Sequence, residues 1–463
     1  MLTAQLDPRD PESRIARLLD GGKFEFLIPR TDCGMVAVTG DIKGNKVVVF
    51  ASDATIKSGA LGVEGSKVIV TAYKAAMGAQ VPIIGIWHSG GARLSDGVAS
   101  LDAFGEVFQS MISASGRIPQ LSLVLGPTAG GGAYGPALTD IVVLSPEGRI
   151  FVTGPDVVKS VTGEDTDMAL LGGPEAHRKN SGLAHIIATD EDEAITDIRT
   201  LTDLFANQGF MNAEVKDIDL AAFVPQSKVR TYEVHPLVEA ILDTDAEHIE
   251  LLSMWAPNMT TVLGRLGGAT VGVLASNPAH IAGALDAAAG EKAARFVRTC
   301  DAFGIPLIVI ADVQGFLPGA GQEWEGAVRR GAKLLHAFGE AVVPRVTLIT
   351  RRAYGGAYVA MNSKALGATR VFAWPNAEVS VMGAVAAVRV LHRRILADLP
   401  AEQREAMELE LAAEHEKISG GVTRAVEIGA VDEIIEPAKT RSALAKVIAQ
   451  APHRRGAHGN IPL

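Results

Sequence analysis

The sequence predicts an α/β protein made of two tandem copies of one domain. Residues 40–53, GDIKGNKVVVFASD, resemble residues 264–277, GRLGGATVGVLASN, at an offset of 264 − 40 = 224. Short runs of Val, Ile and Leu alternate with longer stretches of helical periodicity, which is the α/β pattern. A chain of 463 residues is also too long for a single hydrophobic core. We therefore expect domains at residues 1–225 and 226–463, with the boundary in the aperiodic stretch around Pro225.

The repeat extends beyond these two segments. The same offset relates three further pairs of segments: Ser58–Leu61 with Ala282–Leu285, Val81–Ile84 with Ile305–Ile308, and Gly131–Tyr134 with Gly355–Tyr358. Pro119 and Pro344 are 225 residues apart, which predicts a one-residue slip that is undone before the glycines. A duplicated domain provides two similar sites that can bind different ligands.

Each copy shows strands and helices in the same order. Buried strands are predicted where apolar runs lie between Gly, Pro or polar residues: Lys46–Ala51, Val81–Trp87, Leu121–Leu125 and Ile141–Leu144, then Val271–Ala275, Leu307–Ala311, Val346–Thr350 and Val371–Ala373. Helices are predicted where apolar residues recur every three or four positions: Gly62–Met77, Ala99–Ser115, Asp286–Phe303 and Gly326–Phe338. The charged stretch 401–416 is typical of a solvated helix.

Composition excludes several classes of protein. The net charge is −10 and the basic residues are scattered, which argues against a nucleic-acid surface. Cys33 and Cys300 are the only cysteines, too few for a disulfide framework or a multi-cysteine metal site, and we expect both to be buried. A polar N-terminus and the lack of an 18-residue apolar window predict a soluble, cytoplasmic protein without a membrane contact.

A glycine-rich turn after a predicted strand is the main candidate site in the first half. Residues 126–135 read GPTAGGGAYG, and residues 352–357 of the second half read RAYGGA. The first turn fits a dinucleotide motif only in part, and glycines also permit close packing without any ligand. Because two such turns each follow a strand and begin a helix, their free N–H groups, assisted by the helix dipole, favour two oxyanion holes.

Side-chain nucleophiles do not explain the turns. The sequence has no G-x-S-x-G element, no GxxxxGK[ST] loop and no H-E-x-x-H helix. His88 and Ser89 are adjacent on a predicted strand, so their side chains point to opposite faces and cannot readily act as base and nucleophile. Backbone donors therefore remain the candidate catalytic groups.

Several separated motifs together resemble the carboxyltransferase (β) subunits of biotin-dependent acyl-CoA carboxylases. They are SGGAR at 89–93, GPTAGG at 126–131, LGG at 171–173, SGLAH at 181–185, DVQGFLPG at 312–319, RRGAKLL at 329–335, YGGAY at 354–358 and the ending GNIPL at 459–463. The resemblance covers nearly the whole chain. Departures from the family pattern are His88, where an acid is common, Gln314, where Pro is common, and AVAAV at 384–388.

This resemblance implies two crotonase-like domains and a hexamer arranged as a trimer of dimers. The first domain of one subunit would meet the second domain of its dimer partner at each active site. Gly130 and Gly131 would hold the thioester oxygen of acyl-CoA, and Gly356 and Ala357 the ureido oxygen of carboxybiotin. Four further residues are expected to contact the substrates: Gly132, Gly355, Val359 and Ala60. After carboxybiotin releases CO2, its N1 would take the α-proton, so no protein base is required.

The resemblance also implies partners and a substrate class. The chain lacks the biotin attachment motif Ala-Met-Lys-Met and an ATP-binding loop, so a separate biotinylated α subunit would carry biotin carboxylase, biotin carrier and ATP use, and no metal is expected here. The favoured reaction is acetyl-CoA to malonyl-CoA for fatty-acid synthesis, with propionyl-CoA to methylmalonyl-CoA also open. Alternatives are the carboxyltransferase subunit of a biotin-dependent decarboxylase, a crotonase-type hydratase or isomerase, and a non-catalytic acyl-CoA-binding scaffold.

Overall fold

The chain folds into two compact units in the computed structural model, which describes residues 7–227, 230–419 and 421–462. Unit 1 comprises the chain up to Gln208, the segment Ile249–Trp255 and the C-terminal segment from Ala457; unit 2 comprises Gly209–His248 and Ala256–Gly456. The chain therefore enters unit 2 before residue 225. Residues just after Gln208 belong to unit 2 because their backbone bonds there: the Asn212 N–H donates to the Gly267 carbonyl at 2.8 Å.

Unit 1 contains eight α-helices and one main sheet among its described residues. The helices are α1 Pro11–Leu18, α2 Val63–Ala79, α3 Val98–Ala114, α4 Gly131–Ala137, α5 Pro155–Thr162, α6 Met168–Gly172, α7 Pro174–Ala176 and α8 Glu191–Ala206. The strands are β1 Phe24–Phe26, β2 Met35–Ile42, β3 Asn45–Ser52, β4 Ile83–Ser89, β5 Gln120–Ala129, β6 Ile141–Leu144, β7 Arg149–Phe151, β8 Ile186–Ile187 and β9 Ile249–Leu251.

The sheet of unit 1 has the strand order β1, β2, β3, β4, β5, β6, β8, and β7 pairs with the far end of β5. β2 and β3 form an antiparallel hairpin, whereas β3 through β8 pair in parallel. Because the carboxyl ends of parallel strands lie at one edge, the loops after β4 and β5 are neighbours. A buried aromatic cluster stabilises the sheet: the Phe50 and Trp87 rings meet edge to face at 5.2 Å.

Unit 2 repeats this architecture. Its helices are α9 His235–Ile241, α10 Ala287–Phe303, α11 Ala320–Trp324, α12 Ala327–Glu340, α13 Gly355–Ala360, α14 Ala384–Leu391, α15 Arg393–Ala397, α16 Ala401–Ser419, α17 Gly421–Glu427 and α18 Thr440–Gln450. Its strands are β10 Met259–Leu266, β11 Ala269–Ser276, β12 Leu307–Val313, β13 Arg345–Tyr354, β14 Arg370–Ala373, β15 Glu378–Ser380 and β16 Glu433–Ile434. The strands follow the order β16, β14, β13, β12, β11, β10, and β15 pairs with β13.

The structure confirms the predicted α/β class and the duplication. The hairpin β10–β11 corresponds to β2–β3, and parallel pairing continues through β12, β13 and β14. The predicted helix 286–303 is α10, for which the Asp286 side chain caps the N-terminus by accepting from the Ala289 N–H at 2.8 Å. Cys33 and Cys300 are buried, as expected. Among the described residues, no helix is both long and apolar enough to cross a membrane.

Candidate active site

The glycine turn of unit 1 lies between β5 and α4. Gly130 has φ 61° and ψ −131°, a conformation that favours glycine. Its N–H donates to the Phe151 carbonyl at 3.1 Å, which closes the pairing of β5 with β7. The next two N–H groups, those of Gly131 and Gly132, have no hydrogen-bond acceptor in the part of the chain that the structure describes. Gly130 therefore turns the backbone, and Gly131 with Gly132 provides the free donors.

The glycine turn of unit 2 lies between β13 and α13. Gly355 has φ 58°, nearly the value of Gly130. The N–H groups of Gly356 and Ala357 point from the first turn of α13 and bond to no acceptor among the described residues. Since α4 has seven residues and α13 six, the helix dipoles are small, and the paired donors themselves are the relevant feature.

Strand register shows which residues of the two turns are equivalent. Ser89 pairs with Thr128 in unit 1, and Val313 pairs with Ala353 in unit 2. The offset is 313 − 89 = 224 on the first strand and 353 − 128 = 225 on the second. The prediction that the slip is undone before the glycines is therefore wrong. The offset of 225 makes three pairs of residues equivalent: Gly130 with Gly355, Gly131 with Gly356, and Gly132 with Ala357.

This correction changes the predicted first hole. Gly130 was expected to donate to a thioester oxygen, but its N–H is already used by Phe151. Gly132, expected only as a substrate contact, contributes one of the two free N–H groups. The corrected pair, Gly131 and Gly132, is equivalent to Gly356 and Ala357, which the sequence identified in the second half. Each unit thus presents two consecutive free N–H groups at the same place in its fold.

An aromatic ring lies beside each pair of donors. A methyl group built on Gly131 would lie 3.5 Å from the Phe104 ring, and one on Gly356 would lie 3.8 Å from the Phe316 ring. Each ring therefore bounds one side of its donor pair.

Two strained loops lie beside the ends of β4 and β12. Lys57 and Ser58 have φ of 48° and 53°, and the equivalent Ile281 and Ala282 have 39° and 52°. Such angles are unusual for residues with a side chain and often occur at functional sites. Sequence reasoning did not detect this strain, although the repeated Gly-Ala-Leu of the two loops marked the region.

The remaining predicted site residues lie close to these features. Ala60 ends the first strained loop, and its N–H donates to the Lys57 carbonyl at 3.1 Å, so that N–H is not free for a ligand. Val359 lies on α13, two residues after Ala357, and its side chain is 40% exposed. An apolar, accessible side chain next to a donor pair is able to contact an acyl or ring substituent of a ligand.

A buried ion cluster supports β12 and β13 in unit 2. The Asp312 carboxylate accepts from the Arg351 Nε at 2.7 Å and from the Arg352 Nε at 3.0 Å. The Arg351 guanidinium also lies over the Tyr232 ring, 4.7 Å from its centroid. Burial, followed by the charge of Asp312, raises the pKa of Tyr232 above its usual range. The cluster holds the part of β13 that leads to the Gly355 turn.

The equivalent of Asp312 in unit 1 is His88. Burial, followed by the charges of Arg14 and Arg9, lowers the pKa of His88 to about 4. His88 is therefore neutral near pH 7. The equivalents of Arg351 and Arg352 on β5 are Gly126 and Pro127, so the ion cluster of unit 2 has no direct copy in unit 1.

Comparison with known proteins relates this geometry to one family. The family described as the carboxyl transferase domain matches residues 21–458. The chain is 59% identical over 461 residues to the biotin-dependent acetyl-/propionyl-coenzyme A carboxylase beta6 subunit of Mycobacterium tuberculosis, which covers 99% of this chain and 98% of that protein. It is 52% identical to the propionyl-CoA carboxylase beta chain of Rhodococcus erythropolis, covering 99% and 97% of the two chains.

A solved structure agrees with these relatives. The transcarboxylase 12S hexamer core, crystallised with methylmalonyl-coenzyme A and methylmalonic acid bound, superposes with a TM-score of 0.90 at 35% identity. The match covers 98% of this chain and 92% of that one. The family match, the sequence relatives and the solved structure thus each cover nearly the whole chain.

Proposed function

This chain belongs to the carboxyl transferase family, as the carboxyltransferase β subunit of a biotin-dependent acetyl-/propionyl-CoA carboxylase, and from that premise we propose how its two donor pairs divide the reaction. The Gly131 and Gly132 N–H groups hold the thioester oxygen of acyl-CoA, and the Gly356 and Ala357 N–H groups hold the ureido oxygen of carboxybiotin. The observation that carries this proposal is the presence of equivalent free donor pairs in both units.

The donor pairs act on charge that develops during the transfer. The first pair stabilises the enolate oxygen formed when the α-carbon of the thioester loses its proton. The second pair stabilises negative charge on the ureido oxygen. Carboxybiotin, when bound, supplies the carboxyl group and the nitrogen that accepts this proton. The backbone holds both sets of donors in place before the substrates arrive, which avoids reorganisation during the reaction.

Proline and alanine variants of Gly131 distinguish the effect of losing the N–H donor from the effect of adding a side chain at the same position. Gly131→Pro removes one N–H at the first helical position, where proline is tolerated. Gly131→Ala keeps the N–H, and its methyl group would be in ordinary contact with Phe104 at 3.5 Å. We expect Gly131→Pro to lower kcat with acyl-CoA by about 10²- to 10³-fold, and Gly131→Ala to lower it far less. Equal losses in both folded variants would contradict a donor role.

The same pair of variants at Gly356 tests the second hole. The methyl group of Gly356→Ala would lie 3.8 Å from Phe316, which is ordinary contact, so this variant again serves as the control for Gly356→Pro. We expect the proline variant chiefly to impair transfer to and from biotin. Retained biotin-dependent transfer in a folded Gly356→Pro enzyme would reject the assignment.

For the substrate, we propose acetyl-CoA, converted to malonyl-CoA for fatty-acid synthesis, with propionyl-CoA as the second candidate. The second candidate is supported by the M. tuberculosis relative, an acetyl-/propionyl-CoA carboxylase subunit, by the R. erythropolis relative, a propionyl-CoA carboxylase chain, and by the methylmalonyl-CoA in the transcarboxylase core. One methylene changes specificity by only about 1–3 kcal/mol. The accessible, apolar Val359 is compatible with either chain length.

The reverse reaction tests both the activity and the substrate. Purified protein is incubated with malonyl-CoA or methylmalonyl-CoA and a biotin derivative, and loss of the carboxylated thioester is followed. Biotin-dependent loss supports the transferase, and the ratio of kcat/KM for the two thioesters distinguishes the acyl chains. No turnover from an assembled oligomer with either thioester would count against the proposed reaction. The relatives reported above give no support to the decarboxylase and scaffold alternatives.

We also propose the assembly and partner that the family resemblance implies: a hexamer of this chain that works with a biotinylated α subunit, which uses the ATP. The relatives named as β subunits and the hexameric transcarboxylase core support this. Co-purification of the chain with a biotinylated protein from its own cells, detected with streptavidin, provides the test. A β subunit that never associates with a biotinylated chain would argue against it.

A further inference from the structure

A cleft of about 900 Å³ opens in unit 1 on the face of β4 opposite to the donor pair. The Ser89 side chain faces Gly132, whereas the neighbouring His88 side chain faces Gly126, because adjacent strand residues alternate. The cleft contains His88, Arg14 of α1 and Ser145, which follows β6. It is therefore separate from the proposed thioester hole.

The base of the cleft contains polar atoms without partners. Arg14 is 4% exposed, and its Nε and Nη1 have no hydrogen-bond acceptor among the described residues. Its Nη2 has only a long contact, 3.4 Å, with Glu191, whose other oxygen pairs with Arg17. Ser145 Oγ, on a residue 2% exposed, and His88 Nδ1 also lack partners in the described chain. Buried polar groups of this kind normally have a partner.

Unit 2 shows which kind of group pairs with buried guanidinium groups at the position equivalent to His88. Asp312 occupies the position equivalent to His88, and its carboxylate pairs with two buried guanidinium groups, those of Arg351 and Arg352, although Arg351 Nη2 keeps no partner among the described residues. Unit 1 has a buried guanidinium of a different origin, that of Arg14 on α1, and has an imidazole where unit 2 has the carboxylate. Apart from the long contact with Glu191, this guanidinium has no carboxylate partner among the described residues.

We propose that this cleft is an oxyanion site, in which Arg14 and Ser145 bind a small carboxylate or phosphate from solution. The ligand takes the role that Asp312 has in unit 2, and an N–H of the neutral His88 ring is able to donate to it. Guanidinium groups bind both anions well because their donors match two oxygens.

The charged residues at the mouth of the cleft do not prevent anion binding at Arg14 and Ser145. Arg9 and Arg149 contribute positive charge there, while Glu147, Asp167 and Asp190 contribute negative charge. The carboxylates of Asp167 and Asp190 accept from backbone N–H groups at the starts of α6 and α8, which reduces their effect on the interior. Glu147 is exposed and is screened by solvent. Glu191, the fourth carboxylate of the lining, pairs with Arg17, so the unpartnered donors of Arg14 and Ser145 are what a small anion would contact.

Thermal unfolding with added anions tests the proposal. Sodium acetate and sodium phosphate are titrated separately against sodium chloride at equal ionic strength, so that the two arms distinguish a carboxylate from a phosphate ligand. We expect a saturable rise in the Tm of the wild-type protein with at least one of them. His88→Asp supplies the carboxylate internally, so its Tm in chloride should be higher and its response to the anion should disappear. His336→Asp, at an exposed histidine, is the control and should respond like wild type.

Ser145→Ala provides a second variant that does not depend on a new charge. Its hydroxyl has no partner among the described residues, so its removal should leave the Tm in chloride unchanged but weaken anion binding by roughly tenfold. The proposal fails if the wild-type protein shows no saturable shift with acetate or phosphate, or if His88→Asp responds like wild type. It also fails if His88→Asp loses CoA affinity in parallel with anion affinity, since the site would then belong to the acyl-CoA substrate.

Discussion

The buried charge of Asp312 should contribute strongly to the stability of unit 2. It is 1% exposed and accepts from two guanidinium groups, so its removal leaves both cations without their carboxylate. We expect Asp312→Ala to lower the free energy of unfolding of unit 2 by about 3–5 kcal/mol, measured as a shift in the urea midpoint. Glu433→Ala, which breaks the exposed ion pair with Arg370, is the control and should change it by less than about 1 kcal/mol. Similar midpoints for the two variants would disprove this.

Asp197 provides a pH-dependent prediction. Burial, and secondarily the charge of Glu193, raises the pKa of Asp197 to about 6, from an ordinary value of 3.8. The folded state therefore binds this proton more tightly than the unfolded state, and the ionised carboxylate destabilises the fold progressively as pH rises from about 4 to about 6. Asp197→Asn should raise the apparent Tm at pH 8 and raise it less at pH 5.

The control for this prediction is Asp398→Asn, at an exposed position after α15. Its effect on Tm should be small at both pH values. If Asp197→Asn raises the apparent Tm equally at pH 5 and pH 8, the amide acts by something other than loss of charge.

At the residue scale, some features of the glycine turns could be predicted from the sequence and others could not. Glycine content and position predicted donor turns after two strands, and the structure has such turns. That the Gly130 N–H is occupied while those of Gly131 and Gly132 are free could not be predicted, because it depends on a hydrogen bond to Phe151 in a three-residue strand. That strand is too short to give a periodic signal, and its pairing with β5 is not local in sequence.

At the scale of elements, the loop before Ala60 is fixed by close approach of two backbones. A methyl group on Gly59 would lie 1.8 Å from the His88 carbonyl oxygen, and Gly59 has φ 72°. Gly59→Ala should therefore displace the loop, lower the Tm strongly and reduce transferase activity. Gly44→Ala is the control, because Gly44 has φ 77° and no atom lies near the added methyl group. Its loss of stability should reflect only the unfavourable φ of a residue with a side chain, about 1–2 kcal/mol.

These two variants can also contradict the proposed role of the backbone contact between Gly59 and His88. If Gly59→Ala and Gly44→Ala lower the Tm equally, the backbone contact with His88 contributes nothing beyond the unfavourable φ. Apparent Tm values are sufficient for this comparison, because both glycines lie in unit 1 and the same transition reports on each.

Element order and strand identity were predictable from the sequence, whereas loop conformation was not. Apolar periodicity gave α10 and β12 to within a few residues, since burial on a repeating face leaves a strong pattern. The left-handed residues Lys57, Ser58, Ile281 and Ala282 carry no such pattern. Their conformation is imposed by tertiary hydrogen bonds, such as that from the Gly90 N–H to the Ser58 carbonyl at 2.9 Å.

At the scale of the whole molecule, large apolar side chains on the surface of each unit indicate assembly. In unit 1, Leu94, Val98 and Leu101 are 94%, 81% and 61% exposed, and in unit 2, Trp324 and Val328 are 87% and 75% exposed. Clusters of this kind on a single chain usually mark contacts with other chains. They agree with the proposed hexamer, in which such side chains would be covered.

Trp324→Glu therefore tests whether this surface lies in the hexamer interface and whether transfer requires the hexamer. A charge at the centre of an apolar contact has no partner when buried, so we expect the hexamer to dissociate, as measured by light scattering after size-exclusion chromatography. The exposed Lys74→Glu variant is the control and should stay hexameric. Because the family resemblance requires two subunits for each active site, dissociation should abolish transfer while each folded unit keeps its far-UV circular dichroism. A Trp324→Glu protein that remains hexameric would exclude this surface from the interface, and one that is dissociated yet fully active would show that a single chain contains a complete site.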